Sequence, residues 1–210
     1  MPLILICVLF YLIGSVPTAY LIVKLRYKKN IVTEGSGNVG ARNTLEVTNS
    51  KTDAIIVLIA DFLKGAVPVF CFLKFSMHDP RLVLFPSLFL LAGHNYSVWL
   101  KFKGGRGLAT AAGIMAVINF TLVIIWLIFY FVLNRFIKNV HISTVIALII
   151  LPLSVVLFQN FILRFNNPYI TGPDDQFPFL FSFCSSIIII ILLKHIHPLI
   201  GIYQKRNPDH

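Results

Sequence analysis

The sequence predicts an all-α, polytopic integral membrane bundle, and three observations carry that expectation. Apolar residues fill 57% of the 210 positions and charged residues only 12%, too few to solvate a water-soluble domain of this size. Apolar runs recur at approximately 3–25, 54–75, 82–100, 108–133, 142–163 and 179–193, most of them near the roughly 20 residues that a helix needs to cross hydrocarbon. Cations gather in the breaks, where 18 Lys and Arg against 8 Asp and Glu give a formal charge of +10. In so apolar a chain this balance reads as positive-inside loops and an anionic substrate, with no nucleic-acid partner.

The first run lacks a basic n-region and an A-x-A cleavage site, and Lys24, Arg26, Lys28 and Lys29 close it. It reads as an uncleaved span with the amino terminus outside. The second and third runs read as single spans. The fourth decides the topology. Taken as one span, it leaves ten Lys and Arg in inside loops and seven outside; taken as a hairpin turning near Gly113–Asn119, it makes the tally fourteen against three. The positive-inside rule favours the hairpin, and so seven segments with a cytoplasmic carboxyl terminus. Its two helices must then be short and shielded by protein. The last two runs flank an outer loop, NNPYITGPDDQ (166–176, with Asp174 at its tip), that reads as irregular turn. Residues 1–210 are expected to form a single membrane domain. Cys7, Cys71 and Cys184 lie inside apolar runs with no metal-ligand spacing, so they read as small buried hydrophobes and no metal is expected.

Three constellations carry possible chemistry. In GSGNVGARN (35–43), Gly35, Gly37 and Gly40 match G-x-G-x-x-G, but a membrane helix precedes them where a dinucleotide fold needs a strand. What survives is a turn whose backbone N–H groups, with Ser36 and Asn38 adding side-chain donors, could cradle an anion; a plain flexible turn is the alternative. In GHNYSVWLKFKGGRGLAT (93–110), Lys101, Lys103 and Arg106 alternate with Gly104, Gly105 and Gly107 just before a helix expected from Leu108, the setting of a phosphate site. A basic loop touching anionic headgroups is the competing reading. Walker A is excluded, since G-x-x-x-x-G-K-[ST] is not present. In DFLKG, Asp61 and Lys64 are i, i+3 within an apolar run, which makes them either a functional pair or a structural ion pair. His94, His195 and His197 could act as general acid or base, with a hydrogen-bonded packing role as the alternative, and Ser143 could contact phosphate.

Taken together, GSGNVGARN, DFLKGAVPV and GHNYSVWLKFKGGRGLAT resemble the bacterial acyl-phosphate:glycerol-3-phosphate acyltransferases, from Gly14–Ser15–Val16–Pro17 to about Thr110, with a weaker echo around Ser143 and His195. The resemblance implies seven helices, an active site at the inner face of the bacterial cell membrane, acyl phosphate and glycerol 3-phosphate as substrates, and no cofactor. It implies that Ser36, Lys103, Ser143 and His195 hold phosphate, that Asn38, Asn43, His94 and the glycines shape the site, and that His94, Lys103 and His195 are the catalytic candidates. Gly37, Gly40, Arg42, Gly104, Gly105 and Arg106 complete the expected phosphate-binding set. The chain departs from the family's G-A-T-N-x-x-R at Arg42 and Glu46. Ser97 stands for proline and Arg106 for lysine, and HIHPLIGI replaces H-R-x-N-I-x-R-L, with Pro198 and Gly201 at the asparagine and second arginine places.

Two phosphate-bearing substrates need cations and N–H nests more than a nucleophile. The H-x-x-x-x-D arrangement of other acyltransferases is not present: His94, His141 and His195 are followed at that spacing by Trp99, Ile146 and Ile200. The expected activity is acyl transfer to the sn-1 hydroxyl of glycerol 3-phosphate, giving lysophosphatidic acid for phospholipid synthesis. The alternative is a catalytically altered relative that binds anionic lipid or acyl phosphate, or uses another acceptor. An anion transporter is a third reading, weakened by the lack of an internal repeat.

Overall fold

Proline and asparagine, rather than the ends of the apolar runs, decide where the helices break. The computed structural model describes residues 1–76, 78–170 and 175–206. Within these, Met1–Val117 packs as one compact unit and Ile118–His210 as a second. Residues 171–174, including Asp174 of the expected outer loop, and the last four residues of the expected cytoplasmic tail lie outside the described residues.

In the first unit, α1 (Leu3–Ser15) stops because Pro17 pushes Val16 out of the helical region, to φ −57°, ψ 114°, and α2 (Thr18–Tyr27) restarts beyond it. The expected continuous first span is therefore two helices. Its α2 ends on a left-handed Lys28, and α3 (Ala41–Thr48) ends the same way on Asn49. Three residues ahead of its apolar run, α4 (Lys51–Phe75) begins because the Ser50 hydroxyl caps it by accepting from the Asp53 N–H. The third run does not form one span. Its helix, α5 (Leu84–Asn95), has 12 residues, and Val98–Leu100 form a separate 3₁₀ turn. At 1.5 Å per residue it covers roughly 18 Å, less than the hydrocarbon thickness.

Glycines set how closely these helices meet. A Cβ on Gly14 would fall 2.0 Å from the Leu90 carbonyl oxygen, and one on Gly93 would fall 2.2 Å from that of Tyr11, so α1 and α5 touch backbone to backbone. Gly65 of α4 and Gly113 stand in the same relation to the carbonyls of Thr110 and Phe62, at 2.1 and 2.0 Å.

The fourth run gives α6 (Leu108–Ile137), and Asn119 interrupts it at φ −159°, ψ 102°. The interruption falls at the far edge of the window predicted for the hairpin turn. In the second unit Asn119 caps the renewed helix by accepting from the N–H and hydroxyl of Thr121, while its amide donates to the Ile162 carbonyl at 2.8 Å and to Asn166 Oδ1 at 2.6 Å. The Asn167 N–H closes on the Ile118 carbonyl at 2.9 Å. Freed backbone groups inside a membrane need such protein partners. Helix α7 (Val140–Leu157) packs on α9 (Gln176–Arg206), with the short α8 (Gln159–Ile162) between them in sequence.

Five helical stretches among the described residues are long and apolar enough to cross a membrane: Leu3–Tyr27, Lys51–Phe75, Leu108–Ile137, Val140–Leu157 and Gln176–Gln204. The chain is a polytopic helical membrane protein.

Candidate active site

In the first unit all three constellations converge. The glycine loop of residues 31–40 is built around buried Asn43, whose amide donates to the carbonyls of Ile31 and Glu34 at 3.1 Å each and whose Oδ1 accepts the Ser36 N–H at 2.8 Å. Gly35 and Gly37 have φ of 57° and 68°, conformations that an L side chain adopts only at a cost, and a Cβ on Gly35 would also fall 2.2 Å from Asn43 Oδ1. Asn43 therefore works as the frame of the loop. Ser36 stays exposed, while Asn38 is half-buried beside Gly40.

The second loop meets the first directly. The Val39 N–H donates to the Gly104 carbonyl at 3.4 Å, and the Gly105 N–H donates to the His94 carbonyl at 3.0 Å. Any Cβ on Gly105 would fall 2.0 Å from His94 Nε2, so the imidazole lies against the loop backbone. On its other side, His94 Nδ1 stands 3.8 Å from the carboxylate of Asp61. That carboxylate is 3.0 Å from Lys64 Nζ, which also donates to the Val16 carbonyl at 3.0 Å. Ser97 donates its hydroxyl to the Ser15 carbonyl. A small pocket lies at this junction, lined by Val16, Asp61, Lys64, His94, Ser97 and Gly104 among others.

Three cations give the second loop a basic rim. Lys101 and Lys103 are exposed, and Arg106 is half-buried. Burial pushes the Arg106 guanidinium below its ordinary pKa; nearby Arg42 pushes the same way and Glu46 opposes it. An arginine does not lose its proton under such a shift, so the rim keeps its charge. Arg42 and Glu46 sit one turn apart on α3, with Nε donating to Oε1 at 3.1 Å. The tip of the second loop is strained. Lys101 (φ 53°, ψ 48°) and Phe102 (φ 62°) are successive left-handed residues, at roughly 1–2 kcal/mol each.

Ser143 and His195 belong to the second unit. Ser143 is fully buried near the start of α7, and its hydroxyl oxygen has no hydrogen-bond partner among the described residues. His195 is buried on α9, with Nδ1 2.9 Å from the Ile191 carbonyl and its ring 6.0 Å from that of His141. His197 is exposed on the same helix. Gly201 opens onto free space, and α9 continues through Pro198.

Sequence reasoning missed Ser15, Val16, Val39 and Asn95 as parts of the site. Ser15 is fully buried with a hydroxyl that has no partner among the described residues, and the Asn95 side chain fills the space beside Gly107. Both are polar residues inside apolar runs, a signal that was available in the sequence.

Known proteins resemble this chain in sequence and in fold. A family model described as glycerol-3-phosphate acyltransferase matches residues 4–205. The glycerol-3-phosphate acyltransferase of Staphylococcus haemolyticus is 32% identical over 99% of this chain and 98% of its own length. That of Pelagibacter ubique is 36% identical over 72% of this chain and 77% of its own. Among solved structures, the glycerol 3-phosphate form of PlsY, an integral membrane glycerol 3-phosphate acyltransferase, superposes with a TM-score of 0.79 over 97% of this chain and 93% of that one, at 24% identity. The lysophosphatidic acid form gives a TM-score of 0.75 at 25% identity.

Proposed function

The chain belongs to the glycerol-3-phosphate acyltransferase family, and on that premise we propose that it acylates the sn-1 hydroxyl of glycerol 3-phosphate, with acyl phosphate as donor, to give lysophosphatidic acid. The observation that carries this reading is the junction of the two glycine loops through Val39 and Gly104, which brings N–H-rich backbone and the Lys103–Arg106 rim to one place. Phosphate on both substrates is matched by such a set of donors. The acceptor hydroxyl attacks the acyl carbonyl and phosphate departs, so the protein's task is to hold two anions in line and to neutralise the charge that develops. Lys103 and Arg106 take the phosphates, and Ser36 and the first loop add donors. His94 holds Gly105 and the second loop in place. The active face is cytoplasmic in the seven-segment arrangement favoured by the cation distribution.

Reconstituted protein supplied with acyl phosphate, acyl thioester and a panel of phosphorylated polyols provides the test. Lysophosphatidic acid formed from acyl phosphate and glycerol 3-phosphate is the expected product. Turnover with thioester alone would reject the donor. A second acceptor is favoured by one observation, the Arg42–Glu46 pair, which places a carboxylate beside the rim. Faster turnover with a polyol other than glycerol 3-phosphate would establish it.

A further inference from the structure

The tip of the second loop, residues 97–103, has a feature that phosphate-substrate binding does not use. Its backbone is folded tightly, with the Phe102 N–H donating to the Ser97 carbonyl at 2.8 Å and the Ser97 N–H to the Lys103 carbonyl at 3.2 Å. Leu100 turns inward onto the apolar core formed by Val23, Ile31, Val39, Val47 and their neighbours. The residues on either side turn outward, leaving Trp99 62% and Phe102 63% exposed, with Lys101 exposed between them. The left-handed turn at Lys101 and Phe102 gives Phe102 this direction. Two large aromatic rings held in the open by a strained backbone are costly in water and well placed at the boundary of a bilayer.

We propose that this tip is a membrane-interface anchor for an anionic leaflet, with Trp99 and Phe102 bedded at the headgroup boundary and Lys101 on a lipid phosphate. Two observations select this occupant. The tip begins two residues after the apolar helix α5 ends at Asn95, so its two rings stand at the end of an apolar helix. Its lysine, in a chain of formal charge +10, complements the negative surface of an anionic leaflet. Lys101 and the two rings thus serve lipid, while Lys103 and Arg106 serve substrate. The assignment stands whichever acyl donor the enzyme uses.

The test uses fluorescence, because the chain has 2 tryptophans and Trp126→Phe leaves Trp99 as the reporter. The full-length variant is reconstituted into phosphatidylcholine vesicles that carry a minor fraction of brominated lipid, either phosphatidylglycerol or phosphatidylcholine. The expected result is shielding from aqueous iodide and severalfold stronger quenching by brominated phosphatidylglycerol than by the same fraction of brominated phosphatidylcholine. Lys101→Gln should bring that ratio towards one, and free inorganic phosphate should leave it unchanged. Iodide quenching like that of a free tryptophan would overturn the anchor, as would equal quenching by the two lipids before the lysine is changed. A second chain, Trp99→Phe, Trp126→Phe, Phe102→Trp, reads the other ring by the same criteria.

Discussion

The carboxylate of Asp61 and the ammonium of Lys64 lie 3.0 Å apart, one turn along α4, with side chains only 5% and 8% exposed. The pair does more than fix the register of one helix. Lys64 also reaches the Val16 carbonyl, and Asp61 faces His94, so one ion pair joins α4 to the α1–α2 break and to the second glycine loop. Removing one partner strands the other charge, at about 3–5 kcal/mol, whereas replacing both with apolar groups is often close to neutral. Asp61→Asn is therefore expected to unfold at a clearly lower temperature in detergent, and Asp61→Asn with Lys64→Met to recover part of the loss. Equal melting of the single and double variants would show that the pair carries no such coupling.

Charge removal at the rim separates substrate grip from fold. A charge-assisted hydrogen bond is worth roughly 1.5–3 kcal/mol, or about ten- to a hundred-fold in binding. Lys103→Ala or Arg106→Ala should lower kcat/KM by about that factor with the melting temperature unchanged. Full activity in the double variant would remove both from the phosphate site.

The Arg42–Glu46 pair is exposed, at 55% and 41%, and an exposed i, i+4 pair contributes only about 0.3–0.5 kcal/mol to stability. Its expected effect is on the acceptor instead. Glu46→Gln removes a carboxylate from the rim and frees Arg42, so the KM for glycerol 3-phosphate should fall severalfold with little change in melting. An unchanged KM would place the pair outside the acceptor's reach.

Glycine contacts offer a matched comparison. Gly105→Ala drives a methyl group into His94, whereas Gly201→Ala meets nothing within 4 Å and gains helix propensity. The first should lose most activity and the second should keep it, measured as turnover per folded protein. Wild-type turnover in Gly105→Ala would separate His94 from the shape of the loop.

The cation distribution makes a topology prediction. In a chain whose native cysteines are replaced by alanine, single cysteines at Asn49 and Gln204 should resist an impermeant thiol reagent in intact cells, while one at Asp79 should react. Equal labelling at Gln204 and Asp79 would rule out seven segments.

How much of this was legible in the sequence differs from feature to feature. Composition and the spacing of apolar runs were enough for the membrane helices, because hydrocarbon imposes its thickness on any chain that crosses it. The meeting of Asp61 with Lys64 followed from helical periodicity alone. The true length of α5 did not, since hydropathy at Val98–Leu100 is the same whether the backbone is helix or 3₁₀ turn. The resemblance implied that Asn43 and His94 shape the site, but not the backbone carbonyls and glycines they meet, which no pattern of side chains announces.

The break at Val16–Pro17 bears on how the protein is made. Its Ser15 and Val16 carbonyls receive hydrogen bonds from Ser97 and Lys64, which follow 82 and 48 positions later in the chain. During synthesis the first span leaves the ribosome with neither donor available. The Thr18 N–H reaches the Val16 carbonyl at 3.1 Å from within the first span, but the Ser15 carbonyl gains the Ser97 hydroxyl only once the end of α5 has emerged. Maturation of the amino-terminal third is in that sense a late event, set by sequence still to be translated.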